Sequence, residues 1–243
     1  MTDGGVAAAR GGTLPEDQVR AMFDRIARVY DLLNSVMTVG LHHRWRERAA
    51  DLAAVGSGDR VLDVATGTGD LAIELQRRVE SSGEVVGADF SEGMLELARE
   101  KAPHITFEAG NALDLSYEDD SFDAATVGFG ARNFSDLPRG LSEMARVVRP
   151  GGRVVVLEIT TPQRPPLSWF FRVWFDRLVP LIGRAAGDPD AYTYLPSSVR
   201  RFPNARGLAA AMAAVGLVRV RWVVTAGGII AIHSGQVEAA PEP

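Results

Sequence analysis

Between residues 60 and 159 short apolar runs alternate with amphipathic stretches, and this alternation limits the possible folds more than any other feature. The apolar runs predict strands at 60–65, 84–89, 105–109, 122–129 and 152–159. Helical periodicity between them predicts helices at about 69–80, 91–101 and 136–148. Strands that alternate with helices are typical of a parallel sheet, which the right-handed crossover rule makes doubly wound. We therefore predict an α/β fold that binds ligands at the carboxyl ends of its strands.

The flanking segments predict additions to this core. Pro15 and the acids after it favour a helix from about residue 15, and a second helix should end near Gly56, so that 15–56 holds two N-terminal helices. Two β-rich runs around "AGG" near the end predict a hairpin, so the sheet should finish antiparallel. We interpret residues 15–236 as a single domain with an inserted helical cap at 160–206. The two ends, 1–14 and 237–243, are interpreted as disordered tails.

Composition narrows the class of protein. A formal net charge of −5 gives no basic field for nucleic acid, so we expect no nucleic-acid partner. The absence of cysteine excludes disulfides and thiolate metal sites, and the four histidines have no metal-binding spacing, so we expect no metal. The first residues lack the apolar stretch of a secretory leader, and the sequence has no run of about 20 apolar residues, so we expect neither a leader nor a membrane span. We expect a soluble, cytoplasmic protein with a small-molecule ligand.

A glycine-rich loop, "DVATGTGDLA" (63–72), follows the first predicted strand. Its glycines, Gly67 and Gly69, could bring the backbone close to a nucleotide or form only a tight turn. Asp89, twenty residues after Gly69, could bind the ribose of NAD or of any other adenosine cofactor. Asp63 would repel a pyrophosphate and attract a ligand that carries an ammonium and a sulfonium. This favours S-adenosylmethionine, and a dehydrogenase is the weaker alternative.

The order of these motifs resembles the class I methyltransferases. Within that class, "YDLLNSVMTVGLHHRW" (30–45) and "RVVRPGGRVVVLEIT" (146–160) resemble two signatures of the menaquinone and ubiquinone C-methyltransferases. "GARNFSD" (130–136) and "YTYLPSSVRRFP" (192–203) are similar to a loop and a cap of the same family. The resemblance extends from about residue 18 to 235. It implies a Rossmann-like, doubly wound, mostly parallel seven-stranded sheet that ends in an antiparallel hairpin.

The resemblance also implies which residues contact S-adenosylmethionine. Asp89 would bind the ribose, Asn111 and Ala112 would lie beside the adenine, and Gly128 would contribute its backbone alone. Tyr30 could cover the sulfonium by a cation–π contact or could simply pack in a helix. The full set of cofactor-binding candidates is Tyr30, Asp63, Gly67, Thr68, Gly69, Asp89, Asn111, Ala112 and Gly128.

The implied reaction is methylation of a ring carbon of a polyprenylated hydroquinone, demethylmenaquinol, to give menaquinol. Removing a phenolic proton, with an unperturbed pKa of about 10 by analogy with tyrosine, would activate that carbon. Arg132, with Asn133 beside it, would stabilise the phenolate, and His43 or Asp31 could accept a proton. A structural Arg–carboxylate pair is the alternative for Arg132. Methylation of a ubiquinone precursor or of another aromatic or polyketide, and a non-catalytic scaffold, are the alternative functions.

The cap suggests a partner. Segment 164–206 has seven arginines and three aspartates, a net charge of +4, and its apolar helix carries a polar stripe of Ser168, Arg172 and Asp176. Such a segment suits peripheral contact with an acidic membrane at its inner face, with the polyprenyl tail between aromatic rings. An ordinary apolar helix that closes the core is the alternative for this segment. A homodimer is a separate expectation about partners.

Overall fold

The computed structural model describes residues 15–38, 40–162, 165, 167–173 and 189–239. Its strands are β1 (Arg60–Val64), β2 (Glu84–Asp89), β3 (Thr106–Ala109), β4 (Phe122–Gly128), β5 (Val148–Ile159), β6 (Val218–Thr225) and β7 (Ile230–Gln236). Its helices are α1 (Glu16–Thr38), α2 (Leu41–Ala53), α3 (Asp70–Val79), α4 (Glu92–Lys101), α5 (Leu137–Arg146), α6 (Leu167–Val173), α7 (Pro189–Arg201) and α8 (Ala205–Ala214). The predicted tail 1–14 lies outside the described residues.

The seven described strands form one sheet in the order β3-β2-β1-β4-β5-β7-β6. Strands β1 to β5 are parallel, whereas β7 is antiparallel to both β5 and β6. The predicted doubly wound sheet and its antiparallel ending are therefore confirmed. The strand order reverses between β1 and β4, which is where ligands bind in such sheets.

Helices cover both faces of the sheet. On one face, Leu75 of α3 packs with Val155 of β5, together with residues of α2 and α4. On the other face, Met144 of α5 and Met212 of α8 pack with Val154. Each of these side chains is fully buried, which contributes about 1.5–3 kcal/mol per large apolar residue. The alternation of Val154 and Val155 between the two faces is the two-residue period of a strand.

The same alternation decides to which face of the sheet the Asp63 carboxylate points. In β1, Leu62 and Val64 point to the α5 face, and Val61 points to the α2 face. Asp63, between Leu62 and Val64, therefore points to the α2 face, at the carboxyl end of a strand whose last four residues are all buried.

The beginning of β5 differs from the prediction. We predicted a helix to 148 and a strand from 152, but the helix ends at Arg146 and pairing begins at Val148, which lies opposite Phe122. The next residue pair along the two strands is Ala124 with Arg153, so residues 149–152 form a bulge opposite Asp123. A Cβ on Gly152 would lie 2.5 Å from the Asp123 carbonyl oxygen. The glycine is needed because the bulge packs backbone on backbone.

The segment predicted as a cap contains α6 and α7. Asp176 and the side chain of Arg172, two members of the predicted polar stripe, lie outside the described residues, and Ser168 is half-buried. Tyr194 of α7 packs with Met94 of α4 and with residues of α1. None of the described helices is both long and apolar enough to span a bilayer.

Candidate active site

A cavity of about 630 Å³ opens at the carboxyl ends of β1 to β4. Its walls are the loops that follow these strands and one side of α1. The loops after β1 and β4 diverge because the strand order reverses there, which leaves the crevice. Its size is in the range of about 300–1,000 Å³ that is common for small-molecule sites.

The loop between β1 and α3 has two glycines in the left-handed region. The φ angles of Gly67 and Gly69 are 58° and 81°. A Cβ on Gly69 would lie 2.8 Å from the Phe107 ring, so Gly69 is held tightly against protein and does not line the cavity. Gly67 lines the cavity, and a Cβ there would meet no atom within 4 Å. The loop therefore leaves space for a ligand directly against the backbone of Gly67.

Asp63 lines this cavity although none of its surface is exposed. Its Oδ2 accepts a hydrogen bond from Thr66 Oγ1 at 2.7 Å, and its Oδ1 accepts one from Thr126 Oγ1 at 2.6 Å. Burial raises the pKa of Asp63 to about 6, and the two threonine hydroxyls and the Arg46 charge oppose this rise. The carboxylate is therefore mainly ionised at neutral pH and suits a cationic ligand.

Asp89 stands across the glycine loop from Asp63. Its Oδ2 accepts from the Gly67 N–H at 2.8 Å, and its Oδ1 accepts from the Ser91 N–H at 2.9 Å. Burial raises the pKa of Asp89 to about 6 as well. Ser91 caps α4 by accepting from the Met94 N–H. Asp89 thus fixes the loops after β1 and β2 relative to each other.

Most of the other predicted cofactor-binding residues also line the cavity. They are Tyr30, Thr68, Asn111, Ala112 and Gly128. Asn111 Oδ1 accepts from the Leu113 N–H at 2.9 Å, which shapes the loop after β3. A Cβ on Gly128 would lie 3.2 Å from Leu71 Cδ2, so the approach to the cavity here is by backbone alone. Tyr30 packs edge-on against Phe23, with ring centroids 6.2 Å apart.

Arg132 does not line the cavity, whereas Asn133 does. The Arg132 guanidinium is buried, and its Nη1 donates to Glu158 Oε1 at 2.9 Å and to the Phe129 carbonyl. Burial alone would lower the pKa of Arg132, but the Glu158 carboxylate outweighs it and raises that pKa. The geometry is that of a structural Arg–carboxylate pair. Tyr194 OH donates to Asn133 Oδ1 at 3.2 Å and orients this amide.

His43 and Asp31, the two predicted proton acceptors, lie outside the cavity lining. His43 is exposed, and its ring lies 3.9 Å from that of His42. Asp31 Oδ1 accepts from Thr68 Oγ1 at 2.6 Å, and its Oδ2 accepts from Lys101 Nζ at 2.6 Å. Both carboxylate oxygens of Asp31 therefore already hold protein donors.

Sequence reasoning missed how α1 is attached. Three of its acidic residues each accept a hydrogen bond from a hydroxyl of a different loop: Glu16 from Ser135, Asp24 from Ser91 and Asp31 from Thr68. These loops follow β4, β2 and β1. The acids are separated by eight and seven residues, about two helical turns each, which places them on one face. This spacing of acidic residues along α1 was the sequence feature from which the attachment could have been predicted.

A charged network beside the glycine loop was also missed. Arg46 of α2 pairs with Asp70 Oδ2 at 3.3 Å and donates to His42 Nδ1. Burial and the Arg46 charge lower the pKa of His42 to about 4, so this imidazole is neutral and acts as an acceptor for Arg46. Lys101 of α4 binds Asp70 Oδ1 at 2.8 Å from the other side. Asp70, the first residue of α3, is thus held between two cations.

Within the part of the chain that the structure describes, no cluster of three or more histidines or carboxylates could hold a metal ion.

Comparison with known proteins gives related sequences over nearly the whole chain. A demethylmenaquinone methyltransferase of Thermus thermophilus is 46% identical over 88% of this chain and 99% of its own length. A protein of the same name from Deinococcus radiodurans is 48% identical over 89% of this chain and 91% of its own length. The ubiquinone/menaquinone biosynthesis C-methyltransferase UbiE of Geobacter sulfurreducens is 42% identical over 90% of this chain and 88% of its own.

Solved structures share the fold at low sequence identity. The 4+2 cyclase SpnF superposes with a TM-score of 0.70 and 20% identity over 95% of this chain and all of its own. A SAM-dependent methyltransferase from Aquifex aeolicus gives 0.59 and 18% identity over 79% of this chain and 89% of its own. These similarities establish the Rossmann-like fold. The model of the ubiE/COQ5 methyltransferase family matches residues 12–237, a range that includes every element that builds the cavity. The chain therefore belongs to the ubiE/COQ5 methyltransferase family.

Proposed function

We propose that this protein transfers a methyl group from S-adenosylmethionine to a ring carbon of demethylmenaquinol and so forms menaquinol. The observation that carries the proposal is the convergence of Gly67, Asp63 and Asp89 on one cavity at the switch point of the sheet. The names of the relatives from Thermus and Deinococcus support the quinol as substrate.

The cavity fits this cofactor. The open space at Gly67 accepts a ligand against the backbone, and Asp63 provides a buried negative charge for a cation. Each Asp89 oxygen accepts one backbone N–H and keeps a second lone pair, which suits the hydroxyls of a ribose. In our proposal Asn111 and Ala112 hold the adenine, while Thr68, Gly128 and Tyr30 complete the site. S-adenosylmethionine would supply an electrophilic methyl group on its sulfonium.

The residues around Asn133 would hold and activate the ring. Asn133 lines the cavity, and we assign it contact with a quinol oxygen. Arg132 lies behind it and pairs with the buried Glu158 carboxylate, so we assign Arg132 the role of fixing the loop that carries Asn133, and the Asn133 amide would stabilise the phenolate. Loss of the phenolic proton to solvent would raise the electron density on the ring carbon. That carbon would bond to the methyl group as the methyl–sulfur bond breaks and S-adenosylhomocysteine is released, and it would then lose its own proton to solvent. We assign no proton transfer to His43 or Asp31, because neither lines the cavity.

A ubiquinone precursor, a methoxy-polyprenyl-benzoquinol, is the second candidate substrate. The name of the Geobacter relative, which covers both quinones, favours keeping it. Both substrates require the same bond change at a hydroquinone carbon. They differ in the ring that must fit beside Asn133.

The first experiment measures transfer of labelled methyl from S-adenosylmethionine to each quinol in detergent. We expect label on the menaquinol ring and a loss of about a hundredfold in kcat for Asn133→Ala, the usual scale for removing one oxyanion donor. Binding of S-adenosylhomocysteine by Asn133→Ala should match that of the wild type. Absence of label in both quinols, with the methyl donor still bound, would move the substrate to another aromatic compound.

We also propose peripheral contact of the 164–206 segment with an acidic membrane, from which a polyprenyl substrate would be taken. Trp169 of α6 is 62% exposed and Leu167 is 40% exposed, while Arg200 of α7 is also exposed. Exposed aromatic and aliphatic side chains near arginines suit an anionic interface. Flotation with anionic vesicles at low salt should carry Trp169→Ser less than the wild type. Equal flotation of both, or of neither, would remove this contact from the proposal.

A further inference from the structure

Lys101 is the only lysine among the 26 Lys and Arg residues of the chain. Its ammonium lies at the end of α4, 2.6 Å from Asp31 Oδ2, 2.8 Å from Asp70 Oδ1 and 3.2 Å from Thr68 Oγ1. An ammonium has three N–H donors, and the structure provides three acceptors. These acceptors belong to α1, to the first turn of α3 and to the glycine loop.

We propose that Lys101 is a positioning residue for the bound methyl donor, because it holds α1 against the glycine loop from outside the cavity. The inference rests on the proposed cofactor site. Lys101 does not line the cavity, but Thr68 and Asp70, two of its partners, do. Thr68 accepts from Lys101 and donates to Asp31, so the threonine hydroxyl has one direction in which both bonds are made.

The geometry explains why a lysine stands here in a chain otherwise rich in arginine. An ammonium is compact and distributes its donors tetrahedrally, whereas a guanidinium is planar and pairs side by side with one carboxylate. Three acceptors on three separate segments suit the ammonium. The two carboxylates raise the pKa of Lys101 above its usual range although burial opposes this, so the charge is constant at any pH of interest.

Lys101 also binds Asp31, the acidic residue by which α1 contacts the glycine loop. Asp24 and Glu16 attach α1 to the loops after β2 and β4, but only Asp31 reaches the loop that carries Gly67. Without the ammonium, Asp31 and Asp70 would be two carboxylates sharing one site, and they would repel each other. We therefore expect that, without the ammonium, α1 and the glycine loop separate more often and enclose the donor less well.

The test measures the Kd of S-adenosylhomocysteine by calorimetry for Lys101→Met, Lys101→Arg and the control Arg77→Met. The control removes an ion pair with Glu74 on α3, whose arginine is 66% exposed and lies outside the cavity lining. The ligand lacks the sulfonium charge, and its ammonium and carboxylate are the same for every variant, so a difference in salt dependence between variants reports on the protein.

At low salt we expect Lys101→Met to raise Kd about fivefold, the upper range for a partly exposed ion pair. Lys101→Arg should fall between Lys101→Met and the wild type, and Arg77→Met should match the wild type. The KM for S-adenosylmethionine should rise with Kd, while kcat at saturation stays within twofold. At about 0.5 M KCl the difference between Lys101→Met and the wild type should shrink because salt screens the ammonium.

Three results would overturn the inference: a Kd of Lys101→Met within twofold of the wild type, an equal rise in Arg77→Met, or a difference that salt does not reduce. If Lys101→Met does not fold, Asp31→Asn provides the same test, because it keeps an acceptor for Thr68 and loses the charge. A wild type that does not bind S-adenosylhomocysteine would instead remove the proposed function.

Amine chemistry gives an independent readout, because Lys101 carries the only side-chain amine. Acetylation with acetic anhydride, followed by peptide mass spectrometry, reports how often its three contacts open. We expect saturating S-adenosylhomocysteine to slow acetylation of Lys101 relative to the N-terminal amine. An unchanged ratio would contradict the positioning role.

Discussion

At the scale of single residues, the cavity is defined by two buried carboxylates whose charge depends on pH. Burial raises the pKa of both Asp63 and Asp89 to about 6, whereas an exposed aspartate titrates near 4. Arg46 favours ionisation of Asp63, whereas the charge of Asp89 opposes it. A cation in the cavity would stabilise the ionised forms, so ligand binding and proton release are linked.

We therefore predict that S-adenosylmethionine binds more tightly as pH rises from 5 to 7. A group with a pKa of about 6 is about one-tenth ionised at pH 5 and about nine-tenths at pH 7, so Kd should fall about tenfold. Calorimetry across this range would measure it. Asp63→Asn should bind more weakly and with a flatter profile, and an equally steep profile in that variant would exclude Asp63 as the source.

Arg132 gives a second prediction, on stability. Its partner Glu158 is 1% exposed, so Arg132→Met would leave a buried carboxylate without its cation. Removing one partner of a buried pair costs about 3–5 kcal/mol, and we expect this loss in urea denaturation. The double variant Arg132→Met/Glu158→Leu should recover most of it. A loss below about 1 kcal/mol in the single variant would show that the pair does not hold the loop after β4.

At the scale of elements, the bulge at the start of β5 shows how a local contact overrides a sequence pattern. The "RPGG" motif predicts a turn between a helix and a strand, and the structure instead begins the strand at Val148 and bulges through these residues. The bulge depends on contacts with distant segments: Gly152 approaches Asp123 on the neighbouring strand, and the backbones of Gly151 and Gly152 bond to Val237. Pairing between distant segments is absent from local periodicity.

We predict that Gly152→Ala destabilises the protein by about 1–3 kcal/mol, the usual cost of overpacking. Its Cβ would lie 2.5 Å from both the Asp123 carbonyl oxygen and Val148 Cγ1. Gly56→Ala is the matched control, because a Cβ there meets nothing within 4 Å. Thermal denaturation should give a lower Tm for Gly152→Ala and an unchanged or slightly higher one for Gly56→Ala. Equal behaviour of the two would contradict the packing argument.

At the scale of the whole molecule, the sequence predicted the sheet and much of the cavity, because periodicity and loop chemistry are local. Strand β2 has the predicted bounds, and Gly67, Asp63 and Asp89 line the cavity. A carboxylate pair was the alternative for Arg132, but its partner Glu158 was not predicted, and neither was the pairing of Lys101 with Asp31, since these partners are 26 and 70 residues away. Which charges pair across such distances depends on the packed arrangement of all the elements.

A property of the whole molecule tests the cofactor assignment. A ligand at about 100 times its Kd stabilises the folded state by about 2.7 kcal/mol, which for a chain of this size raises Tm by about 5–10 °C. We expect this shift with S-adenosylhomocysteine and none with NAD at the same concentration, in a dye-based melting assay. A shift with NAD alone would revive the dehydrogenase alternative.

The attachment of α1 to three loops has a kinetic consequence. If the methyl donor binds as proposed, the spent donor must leave and a fresh one must enter once for every methyl group transferred. An exchange that displaces α1 would break and reform the hydrogen bonds that Glu16, Asp24 and Asp31 accept from three hydroxyl groups. The opening of this one helix would then add a step to every turnover that is separate from methylation of the carbon.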